Sequence, residues 1–109
     1  MRQAERKLKP FRRQAADGEQ LRAKAQKLGI EFANADLDAA HTFLDLARLD
    51  FQSGESEHAS RLLKNAEHAA EVVESIIKRF PENALPELQR RLEALNKAIG
   101  QVKALAEAS

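Results

Sequence analysis

The apolar positions of this chain fall in rows that wind at helical spacing, three or four residues apart, and nowhere alternate as a strand would. The clearest row is Ala59, Leu62, Leu63, Ala66, Ala69, Ala70, Val73, Ile76, Ile77 and Phe80. It predicts a helix from about Ser56 to Phe80, ended by Pro81 because the residue before a proline is pushed out of the α region. Ala33, Leu37, Ala40, Leu44, Ala47 and Phe51 predict a helix from about Asp36 to Gln52, capped by Asn34 or Asp36 and closed by Gly54. Leu88, Leu92, Leu95, Ile99, Val102 and Ala106 alternate spacings of four and three. They predict a helix from about Pro86 to Ala106 with a narrow coiled-coil seam, in which Gly100 marks a close helix crossing or a weak C-terminal end. A thinner row, Leu8, Phe11, Ala15, Gly18, Ala25 and Leu28, predicts a helix from about Pro10 that stops at Gly29.

The break Ser53-Gly54-Glu55 is too short for anything but a tight reversal, so the helices on either side should form an antiparallel hairpin. The expected fold is all-α: an antiparallel helical bundle of three long helices plus a more loosely attached N-terminal helix. Residues 10–109 read as one domain, preceded by a basic arm over residues 1–9 that frays or kinks at Pro10. A chain of 109 residues suits one core, and 43 % apolar with 32 % charged residues fits a folded protein.

Leu46 and Leu49 fall nearly opposite the main row of their helix. A helix that is apolar on two sides sits between neighbours or at an interface. Leu46 and Leu49, with the seam Leu88, Leu92, Leu95, Ile99 and Val102, are therefore the candidate interface residues, and a homodimer or another protein is the expected partner. The competing expectation is that the N-terminal helix covers Leu46 and Leu49 within one chain.

Charge changes the picture more than composition does. The net charge is +1, but residues 1–30 carry +6, residues 31–76 carry −7 and residues 77–109 carry +2. Arg2, Arg6, Lys7, Lys9, Arg12 and Arg13 are dense enough to engage phosphates, which makes nucleic acid or an anionic membrane surface the alternative partner. The aromatics that stack bases are missing apart from Phe11, and no reader motif follows, so a basic helix lying against acidic ones in the same fold is the stronger expectation.

Chemistry is sparse. There is no Cys, hence no disulfide, thiolate nucleophile or cysteine-held metal, and a cytoplasmic setting is the default expectation. No apolar run follows the N-terminus, so neither a signal peptide nor a transmembrane segment is expected. Asp38-x-x-His41 and Glu55-x-x-His58 have the spacing that puts two ligands on one helical face, and a hairpin would bring His41 near Glu67, His68 and Glu71. These suggest a metal-binding bundle as a third reading. Helical angles oppose it: His68 lies about 160° and His58 about 80° from the row centre at Ala66, outside a core site. Exposed or boundary histidines are expected instead, with no metal, cofactor or catalytic residue. A phosphate-binding glycine loop, a nucleophile elbow and an HExxH motif are all absent, so an enzyme is not expected.

Residues 40–80 resemble a single tetratricopeptide-like or MIT-like helical hairpin, through Ala47, Phe51, Gly54, Ala59, Leu63 and Ala66. The sequence departs from a repeat array: there is one copy, its second helix is longer than the repeat allows, and the closing proline is not in its place. The resemblance implies a groove that takes a peptide or a partner helix.

Overall fold

The computed structural model describes the backbone of residues 2–80 and 85–108, and the side chains from Gly18 onward within those spans. Three helices account for nearly all of it: α1 (Arg2–Gln52), α2 (Ser56–Arg79) and α3 (Pro86–Ala108). No strand occurs among the described residues.

The ends of α2 and α3 fall within a residue or two of expectation, for local reasons. Gly54 adopts φ +83°, a left-handed conformation that an L side chain resists, and it terminates α1. Two backbone bonds complete the stop: Glu55 N–H donates to the Asp50 carbonyl at 2.8 Å and Gly54 N–H to the Phe51 carbonyl at 3.3 Å. This pair is the Schellman pattern, which satisfies carbonyls that the helix end leaves unpaired. Glu57 in the first turn of α2, with Lys78 and Arg79 in its last turn, matches the helix dipole at both ends. Pro86 opens α3 at the position where a missing N–H costs nothing.

The start of the chain differs from expectation. The predicted N-terminal helix and the helix expected from Asp36 are one continuous element, so no separate fourth helix occurs among the described residues. Neither stop signal operates. Gly29 is helical, and a Cβ placed on it would meet Phe80 Cε2 at 3.3 Å and Ile76 Cγ2 at 3.5 Å. It is a point of close approach between α1 and the end of α2, and an interior glycine costs only about 1 kcal/mol. Asn34 caps nothing; it accepts a hydrogen bond from Arg91. Gly100 also departs from one of its two readings, since open space surrounds the place its Cβ would take and no helix crosses there.

All three helices contribute to one core. Ala33, Leu37, Ala40, Leu44 and Ala47 of α1 meet the α2 row from Ala59 to Val73, and Leu88, Leu95, Ile99 and Val102 of α3. Alanines on α1 and α2 let the backbones approach, while Leu37, Leu44, Leu95, Val73 and Val102 supply the largest fully buried side chains. No polar side chain is buried among the described residues. Asp50 at the end of α1 touches His58 in the first turn of α2, and Gly29 faces Ile76 and Phe80 at the far end. Arg91 ties α3 to α1, donating to Asn34 Oδ1 at 2.7 Å and Asp38 Oδ1 at 2.6 Å. Lys103 pairs with Glu67 of α2 at 3.3 Å.

Candidate functional site

Continuity of α1 exposes a second row of residues. Leu21, Ala25, Leu28, Phe32, Ala35, Ala39, Thr42, Leu46 and Leu49 follow one another at spacings of four and three without interruption. All nine are exposed. The five large members are between 45 % and 64 % exposed, whereas the core row of the same helix is sealed. The two rows are offset by two residues, about 200° of rotation, so they occupy opposite faces of α1. Single exposed leucines are ordinary, but a row of this length is a contiguous apolar surface. At 1.5 Å per residue it runs for about 42 Å. Its one hydroxyl is satisfied within the helix, since Thr42 Oγ1 donates to the Asp38 carbonyl at 3.2 Å.

Alpha-helical extension beyond the core contributes to this surface. α1 has 51 residues and α2 has 24, and residues 18–25 are exposed all round. Where α2 ends, a shallow groove of about 590 Å³ opens beside the row, lined by Ala25, Leu28, Gly29, Phe32, Val72, Ser75, Ile76 and Arg79. The row's flanks are charged unevenly. Arg22 and Lys24 border its N-terminal end, and Glu31, Asp36, Asp38, Asp45 and Asp50 border the rest.

The candidate interface residues separate into two groups. Leu46 and Leu49 stand exposed, and the predicted cover by an N-terminal helix is ruled out because that segment is the same helix. The α3 seam requires correction as an interface. Leu88, Leu95, Ile99 and Val102 are buried in the chain's own core and Leu92 packs against it, so this row is consumed by α1 and α2. The candidate anion-binding residues Arg2, Arg6, Lys7, Lys9, Arg12 and Arg13, and the arm over residues 1–9, have side chains outside the described residues.

The metal constellation across the hairpin is not assembled. Asp38 pairs with Arg91, Glu67 with Lys103, and His68 lies 4.0 Å from Glu71 on an exposed face. A different trio does converge: Asp50, Glu55 and His58 each place a possible ligand atom within 4.8 Å of the others, at the turn between α1 and α2. Glu55-x-x-His58 was legible as a spacing, and Asp50 joins it only because the chain reverses at Gly54. His58 Nδ1 already meets Asp50 Oδ2, which ties the first turn of α2 to the last turn of α1. That contact gives Asp50 and His58 a role in holding the turn.

No protein-family model, curated protein or solved structure matches this chain. Among the described residues, no helix is long and apolar enough to cross a membrane.

Proposed function

We propose that this chain is a non-enzymatic helical interaction module, an antiparallel three-helix bundle whose outer α1 face docks another helix. One observation carries the reading: the uninterrupted exposed row from Leu21 to Leu49. A helix usually has one apolar face, which its own fold covers. Here the fold covers one and leaves a second of coiled-coil spacing, with a groove alongside at Leu28 and Phe32. The tetratricopeptide-like or MIT-like resemblance of residues 40–80 agrees with a helix-docking use. Light scattering coupled to size exclusion tests the reading. Phe32→Glu in the row should weaken association strongly, and Gln89→Glu on the exposed side of α3 should leave it intact.

The charge of +6 over residues 1–30 supports a second reading, an accessory protein that binds nucleic acid. It predicts binding to random-sequence DNA that weakens steeply with salt and is indifferent to Phe32→Glu.

A further inference from the structure

We infer that the helix docked on this face is the α1 of a second copy of the chain, laid antiparallel across a two-fold axis at Ala35; the inference rests on the docking role proposed above. Three features of the row select this occupant and orientation.

The first is size. Pairing the row with itself antiparallel about Ala35 sets Ala25 opposite Leu46, Leu28 opposite Thr42, Phe32 opposite Ala39, and Leu21 opposite Leu49. Large side chains meet small ones along most of the length, and alanine meets alanine at the centre, where the axes come closest. In-register parallel pairing instead stacks Phe32 on Phe32 and leaves Ala35 and Ala39 facing their own kind over two consecutive layers.

The second is charge. The antiparallel arrangement sets Lys24 opposite Asp45, which is 72 % exposed and only loosely paired with Arg48 at 3.5 Å, and Arg22 opposite Asp50, which His58 already holds, each twice by symmetry. Its like-charge contacts are Glu31 with Asp38 and Asp36 with itself, and Asp38 is already held by Arg91 at 2.6 Å. In-register parallel pairing sets Glu31 against Asp36 and Asp45 against Asp50, and brings no opposite charges together between residues 21 and 50. Such flanking charges choose orientation more than they add affinity.

The third is length. Residues 18–25 run past the end of α2 and are exposed all round. Antiparallel pairing lays this segment on the partner's Asp45 to Gln52, so a part of α1 that is exposed in its own chain gains cover from the other.

The chain has no native cysteine, so single cysteines report the contacts directly. Under mild oxidation of the full chain, Ala35→Cys should cross-link to itself, and a mixture of Leu21→Cys with Leu49→Cys should cross-link faster than either alone. Phe32→Glu, an exposed position where folding is checked by circular dichroism, should weaken the dimer by about 100-fold. Lys24→Glu should weaken it several-fold, and adding Asp45→Lys should restore it. Preferential self-cross-linking of Leu49→Cys would overturn the antiparallel arrangement while leaving the docking face in place. A monomer at concentrations up to about 1 mM would overturn the second copy as occupant and leave the face to a different helix. A dimer unaffected by Phe32→Glu would overturn both this inference and the docking role.

Discussion

Leu44 and Leu46 stand two residues apart on α1, yet the first is 1 % exposed in the core and the second is 45 % exposed to water. The same division runs along the helix: Ala40 is sealed and Ala39 open, Ala33 is sealed and Phe32 open. Local sequence does not distinguish the rows, since both use leucine, alanine and phenylalanine at spacings of four and three. Company does. The inner row meets α2 and α3 across a surface rich in alanine, and the outer row stays exposed among the described residues. Burial, rather than residue type, turns apolar spacing into stability, and an apolar row without burial is a surface that favours association.

The largest test of that difference removes the same side chain from each row. Leu44→Ala should lower the unfolding free energy by about 2–5 kcal/mol, to the same extent at every protein concentration, because it opens a cavity in the core. Leu46→Ala should cost little in the isolated chain and act only through association, so its effect on the denaturant midpoint should change with concentration. Equal, concentration-independent losses would erase the distinction. Enlarging neighbouring alanines gives a second contrast. Ala40→Leu should destabilise by about 1–3 kcal/mol through overpacking, while Ala39→Leu should fold normally and weaken self-association by crowding the partner's Phe32.

Smaller effects probe what covers the inner row. Arg91→Ala removes its two bonds to α1, at Asn34 and Asp38, and should cost about 1–2 kcal/mol, with faster amide exchange at the start of α3 than at its end. Urea unfolding and hydrogen exchange measure the two parts. Gly54→Ala should cost about 1 kcal/mol, since φ +83° is strained for alanine although no atom lies within 4 Å. Gly100→Ala should go the other way, stabilising by about 0.5–1 kcal/mol, because the residue is exposed, helical and free of neighbours.

Much of the fold was legible without coordinates. The row from Ala59 to Phe80 predicted α2 to within one residue, since Pro81 and Gly54 are strong punctuation. The helix from Pro86 was equally plain. The failure lay at Gly29 and Asn34, read as a stop and a cap. A glycine ends a helix when it takes the left-handed conformation, as Gly54 does, and merely weakens it when it stays helical, as Gly29 does. That single misplaced break divided the outer row: Ala25 and Leu28 fell in one predicted helix, Ala39, Leu46 and Leu49 in another, and Phe32 and Ala35 in the break between them. The spacing that joins them was present throughout, and testing one unbroken register from Leu21 to Leu49 would have found it.

Spacing, proline and glycine therefore determined the all-helical character of the chain and most helix ends, because these depend on backbone chemistry within a few residues. Tertiary structure decided which apolar row would be covered and which left open. The α3 seam and the outer α1 row have the same periodicity, and only the placement of three helices around one core spends the first and spares the second. Periodicity is a property of one helix; burial is a relation between several.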